Sequence, residues 1–118
     1  MVLGRKYSIV TVSHKEKKIR NITAFIDSGA DLSIIGSSIA KRMQITDFLY
    51  ERSWIASDGD RRYSPIVEIG VKAKDDRNII HLDEVIVDDA PLDDETDEEI
   101  ILGLDYLQKA RKILDFAD

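Results

Sequence analysis

The segment that most constrains this chain is the junction Ala24-Phe25-Ile26-Asp27-Ser28-Gly29-Ala30-Asp31. An apolar run suited to a buried strand passes directly into a carboxylate, a hydroxyl and a glycine. A strand fixes the position of the residue at its end, and Gly29 permits a tight turn where a side chain would clash. A carboxylate held in this way is what general acid–base chemistry needs. Asp27 is therefore the first candidate catalytic residue. The plainer reading is a simple turn, because an Asp-[Ser/Thr]-Gly triplet arises by chance in roughly one chain in twenty of this length. The strand before it and the small residue after it make the combination rarer, and the rest of the chain decides between the two readings.

Elsewhere the pattern is mostly that of short strands. Residues 7–13 are rich in β-branched side chains, residues 14–18 are a polar turn, and Ile19 to Ile26 is a second strand, so residues 7–26 read as a hairpin. Gly36 to Met43 reads as a short helix, with Ser37 or Ser38 as its cap and Ile39 and Met43 on one face. Residues 50–57 alternate, with Arg52, Trp54 and Ala56 on one side, and Ser57-Asp58-Gly59-Asp60 is a turn signal. Alternation resumes from Val67 to Ala73, turns at residues 75–78 and continues through Ile79–Val87. Residues 88–99 hold eight acidic residues in twelve, with Pro91 among them, and read as a loop. Asp105 to Lys112 is a second helix, and Ile113 to Phe116 reads as a last strand. The expected class is mainly β, a small closed barrel-like domain with one or two short helices, spanning residues 1–118 as one unit.

Composition excludes several kinds of function. With 118 residues the chain is too short for a two-lobed enzyme, and 43% hydrophobic content is enough for a core. A formal charge of -6 argues against generic nucleic-acid binding, since phosphates repel it. The absence of cysteine removes disulfides, thiolate zinc sites and thiol nucleophiles. No apolar signal run follows Arg5-Lys6, and no stretch reaches the ~20 apolar residues of a membrane helix, so a cytoplasmic chain without membrane contact is expected. His14 and His81 have no partner at metal spacing, and the acidic run lacks a calcium-loop pattern, so neither a metal nor a cofactor is expected. Ser28 lies outside any Gly-x-Ser-x-Gly context and is not read as a nucleophile. Trp54 fits either a core position or the base of a mobile hairpin.

A second motif lies near the C-terminus, where Ile100-Ile101-Leu102-Gly103-Leu104-Asp105-Tyr106-Leu107 carries apolar residues into a glycine and then a helix. The pair of motifs, in this order, resembles the retropepsin-like aspartic proteases, the family of the retroviral proteases and their single-domain cellular relatives. The likeness extends over nearly the whole chain and includes Trp54-Ile55-Ala56-Ser57-Asp58-Gly59 where that family has its flap. It implies an acid-protease fold with one half-site per chain. Asp27 then corresponds to the catalytic aspartate and Ser28 to a hydroxyl that bonds across a dimer and stiffens the active-site loops. Gly29, Ala30 and Asp31 correspond to substrate-backbone contacts, and Ala56, Ser57, Asp58 and Gly59 to the flap. Ile101 corresponds to a wall of the central pockets, and Gly103 lets the chain pass behind the catalytic loop. Two departures stand out: Leu104 replaces an arginine that retroviral members use in an ion pair with the position of Asp31, and the flap tip is polar rather than glycine-rich.

This chemistry needs two carboxylates close enough to share one proton. The sequence holds one Asp-Ser-Gly, so a symmetric homodimer that sets Asp27 against its counterpart is expected, acting on an extended peptide or unfolded protein. Residues 113–116 are a further expected dimer contact, as a terminal strand. The competing readings are a non-catalytic dimerisation or peptide-binding module on the same fold and an unrelated ligand-binding β-barrel.

Overall fold

The computed structural model describes residues 6–55, 59–88 and 100–117. Ala56, Ser57 and Asp58, and the acidic run from residue 89 to 99, lie outside the described residues. The elements in chain order are β1 (Lys6–His14), β2 (Lys17–Ile26), β3 (Ile34–Ile35), α1 (Ser37–Arg42), β4 (Tyr50–Ile55), β5 (Arg61–Ala73), β6 (Ile80–Val87), β7 (Ile100–Leu102) and α2 (Leu104–Ala117). The strands pair in the order β1-β2-β7-β3-β6-β5-β4, and β1 pairs again with β5. That second pairing, from Val10↔Ala73 to Ser13↔Gly70, closes six strands into a barrel and leaves β4 attached only through β5. The fold is the mainly β, closed, barrel-like one expected from the sequence.

Closure requires β1 to serve two neighbours, and the β1–β2 hairpin bends to allow it. Its register slips between Val10↔Ile22 and Val12↔Ile19, so β2 carries an extra residue there. Asn21 sits at this bulge with φ 59, a left-handed conformation that asparagine tolerates better than most residues. Inward-facing Val10, Val12, Ile22, Ala24, Val67, Val71, Leu82, Val85 and Leu102 fill the barrel, with Ile39 and Met43 of the α1 region packed among them. Ile66 and Val67 are consecutive and both fully buried, so β5 has apolar material on both faces there. The second face is a smaller cluster of Ile34, Ile66, Ile86 and Ile101, with Phe25, Leu32 and Trp54 packed against it.

Two local expectations are corrected. The last strand at residues 113–116 does not form; α2 continues through it to Ala117. Read alone, Ile113-Leu114-Asp115-Phe116 suits a strand. Read with Tyr106, Leu107 and Ala110, it extends a helical series at i, i+3/i+4 and i+7. Neither Ser37 nor Ser38 caps α1, because Gly36 is the N-cap, in an extended conformation (φ -68°, ψ 152°), and both serines lie inside the first turn. The helix ends in a Schellman arrangement: Gln44 N–H donates to the Lys41 carbonyl and Ile45 N–H to the Ala40 carbonyl, with Gln44 at φ 55. The two-residue strand β3 is also absent from the sequence reading, being too short to show a period.

His14 is more than an ordinary strand histidine. It is 7% exposed, its Nδ1 lies 2.8 Å from the Glu68 carbonyl, and its Nε2 lies 3.1 Å from Asp47 Oδ1. Both acceptors are satisfied together when the ring carries both protons. Lys15 Nζ lies 2.6 Å from Asp47 Oδ2. The Lys15 ammonium foremost, and His14 after it, hold the Asp47 carboxyl at about 2, below its ordinary 3.8. A carboxyl depressed in the folded state contributes stability above its unfolded pKa and loses it as pH falls through the folded one. Asp47→Asn should therefore lower the melting temperature at pH 5–6, with the difference shrinking below pH 4 and closing only below about pH 2. Thermal unfolding across this range is the check, and an unchanged melting temperature at pH 6 would contradict it.

Candidate active site

The site begins where β2 ends. The parallel pairs Ala24↔Ile100, Phe25↔Ile101 and Ile26↔Leu102 bring the two sequence motifs side by side. Asp27 N–H continues this ladder by donating to the Leu102 carbonyl at 2.9 Å, so the catalytic candidate is the last residue whose backbone the sheet fixes. Its side chain is oriented by the adjoining loop, as Gly29 N–H donates to Asp27 Oδ1 at 2.9 Å. A Cβ at Gly29 would lie 3.1 Å from that same oxygen. Ala30 N–H donates back to the Asp27 carbonyl at 3.2 Å, closing the turn.

Beyond the turn the chain is exposed, and hydrogen bonds rather than burial define its path. Ser28 and Gly29 face solvent, and the Ser28 hydroxyl has no partner among the described residues. Asp31 is also exposed, and its carboxylate carries no ion pair among the described residues, in keeping with Leu104 standing where an arginine would reach it. The Asp31 carbonyl accepts from Asp105 N–H at 3.3 Å and the Ala30 carbonyl from Leu104 N–H at 2.7 Å.

Gly103 sits directly behind this loop. A Cβ there would lie 2.5 Å from the Ala30 carbonyl oxygen and 3.0 Å from that of Leu32, both backbone atoms with no freedom to withdraw. The glycine is needed for close approach of two backbones, not for an unusual φ.

Two residues of this neighbourhood escape sequence reading. Ser33 is fully buried; its Oγ donates to Asp105 Oδ1 at 2.7 Å and accepts from Gly103 N–H at 3.0 Å. Asp105 Oδ2 accepts from Ser33 N–H at 3.1 Å. The available signal was Asp105 itself, an acid in the first turn of α2, where it also accepts from Tyr106 N–H at 2.8 Å.

Beside the Asp27 loop lies the smaller apolar cluster, in which Ile101 is 7% exposed and meets Ile34, Ile66 and Ile86. Trp54 packs against the same cluster from β4, so the two sequence-level options for it coincide: it is partly buried and belongs to the β4–β5 hairpin. That hairpin pairs from Tyr50↔Ile66 to Ile55↔Arg61. Trp54 Nε1 donates to Ser64 Oγ at 3.0 Å, and the Arg62 guanidinium lies 5.8 Å from the indole centroid while pairing with Asp88 at 3.0 Å. Of the flap residues named from sequence, Gly59 is described, with φ 89, a conformation suited to glycine; Ala56, Ser57 and Asp58 lie outside the described residues. No cluster of metal-ligating side chains occurs among the described residues, and no described helix is long and apolar enough to cross a membrane.

No family model and no curated protein matches the chain in sequence. Solved structures do match in shape. A retropepsin-like aspartic protease from Rickettsia conorii aligns with a TM-score of 0.55 at 16% identity, over 90% of this chain and 79% of that one. The retroviral protease-like domain of Ddi1 from Leishmania major aligns with a TM-score of 0.51 at 23% identity, over 90% and 78%. The chain has the retropepsin-like fold.

Because Gly103 is wedged against backbone, Gly103→Ala should destabilise the protein by about 2 kcal/mol or more, through overpacking that no rotamer change relieves. Denaturant unfolding measures this, and a change below about 0.5 kcal/mol, the range of an uncrowded surface substitution, would contradict it.

Proposed function

We propose that this chain is an aspartic endopeptidase that works as a symmetric homodimer. The observation that carries the reading is Asp27, fixed by the β2–β7 ladder and aimed by Gly29 N–H at the exposed end of a retropepsin-like barrel. Each chain offers one such carboxylate, and the exposed Ser28 hydroxyl beside it, without a partner among the described residues, suits contact with the same loop of a second copy.

In that dimer two Asp27 carboxyls share one proton, because like charges at contact distance cannot both ionise. The ionised member takes a proton from a water molecule while the water oxygen bonds to the scissile carbonyl carbon. The protonated member gives its proton to the carbonyl oxygen. The resulting tetrahedral diol collapses when a proton passes to the amide nitrogen and the C–N bond breaks. No covalent enzyme intermediate is required, and no metal or cofactor enters any step. An extended peptide would lie across the two loops, with its backbone against Gly29, Ala30 and Asp31, apolar side chains against Ile101 and its neighbours, and the β4–β5 hairpin closing over it. The intact Asp27-Ser28-Gly29 favours this reading over a non-catalytic peptide-binding module, which has no use for the carboxylate.

Asp27→Asn should abolish cleavage of an unfolded-protein substrate, by about a thousandfold or more, while leaving far-ultraviolet circular dichroism and melting unchanged. The amide is nearly isosteric but can neither act as base nor share the proton. Wild-type activity should trace a bell against pH with an acidic optimum. Full activity in the variant, or an alkaline optimum, would remove the dyad from consideration.

A further inference from the structure

Asp27 is tied to the sheet by one backbone bond, from its N–H to the Leu102 carbonyl. On its other side the chain enters an exposed loop whose Gly29 N–H must stay in place to aim the carboxylate. The far end of that loop is tied at Ser33, a residue with no exposed surface whose N–H and hydroxyl both end on the Asp105 carboxylate. The same hydroxyl accepts Gly103 N–H, so one buried oxygen joins the loop, the end of β7 and the first turn of α2. Asp105 adds a third tie through its own N–H to the Asp31 carbonyl.

We propose that Asp105 is a positioning residue for Asp27: its carboxylate, acting through Ser33, sets the path of residues 28–33 and thereby the aim of the catalytic carboxylate. This deepens the aspartic-peptidase reading and rests on it for its kinetic consequences. The carboxylate suits the task because it can accept three hydrogen bonds at once, two from Ser33 and one from Tyr106 N–H. The charge also lies in the first turn of a helix, where it is favoured. Ser33 and Asp105 lie outside the main barrel cluster, and the backbone bonds Asp27 N–Leu102 O and Leu104 N–Ala30 O do not involve the Asp105 side chain. Removing the carboxylate therefore releases the Ser33 N–H and hydroxyl, while the Ser33 carbonyl keeps its bond from Ile86 N–H at 3.0 Å and the barrel stays closed.

The test compares Asp105→Ala, Asp105→Asn and Ser33→Ala in the full chain. Kinetics are read on a peptide substrate well below the melting temperature, and hydrogen exchange is read residue by residue without substrate. Asp105→Ala and Ser33→Ala should lower kcat about tenfold or more with KM within about twofold, since sub-ångström misplacement of a reacting group acts on the chemical step. Exchange should quicken over residues 28–33 and stay unchanged in β1, β5 and β6. Asp105→Asn should recover only part of the loss, because its amide oxygen can still accept Ser33 N–H while its NH2, turned to the Ser33 hydroxyl, meets Tyr106 N–H as a second donor. Lower melting temperature with wild-type kcat and unchanged exchange in the loop would overturn the proposal and leave Asp105 a helix-capping residue. If the wild type cleaves no peptide, the peptidase reading fails; exchange then decides the clamp alone, upheld by quickening confined to residues 28–33 and refuted by its absence. If Asp105→Ala does not fold, the milder Ser33→Ala carries both readouts with the same outcomes.

Discussion

The passage of the Leu102-Gly103-Leu104 backbone behind the Asp27 loop is the contact on which the rest of the site depends. A loop that exposes Ser28, Gly29 and Asp31 cannot be fixed by apolar burial, so hydrogen bonds must define it. They come from a segment more than seventy residues later in the chain: the Leu102 carbonyl, the Leu104 and Asp105 N–H groups, and the Asp105 carboxylate. All of them require backbone-to-backbone approach that only a glycine at residue 103 allows. The parallel pairing of β2 with β7 that brings these segments together is non-local, so the Asp27 loop gains its geometry only once the barrel has closed.

How much of this was legible depends on which signals are local. Asp27 and Gly103 could be found because each stands at the end of an apolar strand, where a polar or small residue breaks the pattern. The barrel could be expected from many short alternating segments, and the β1–β2 hairpin from its β-branched residues. Ser33 and Asp105 could not be paired in advance, because they are 72 residues apart and each is ordinary where it stands. The same holds for His14 with Asp47 and Glu68, a contact that spans three separate parts of the chain. At residues 113–116 the local pattern misled, because four residues fit a strand or a helix equally and only the preceding apolar series decides.

The β4–β5 hairpin shows how one strand can serve two purposes. Ile66 and Val67 face opposite clusters, so β5 is anchored in the barrel at one end and extends at the other to carry Arg62 and Ser64 beside Trp54. Trp54 ties that outer portion to the same apolar cluster that holds Ile101. The hairpin and the strands that flank the Asp27 loop thus share one apolar bed. Arg62, paired with Asp88, sets a charged pair beside Trp54 at the edge of that bed. With α2 running to Ala117, the described C-terminal residues form a helix rather than a strand.

The central claim is that one active centre needs Asp27 from two chains, and subunit mixing tests it most directly. Wild-type chains are exchanged to equilibrium with Asp27→Asn chains at constant total concentration, and peptide cleavage is followed as the wild-type fraction is varied. If both carboxylates are required, only dimers with two wild-type chains cut, and activity falls as the square of the wild-type fraction. Activity that falls in simple proportion to that fraction would mean that each chain is complete by itself, and would contradict the claim.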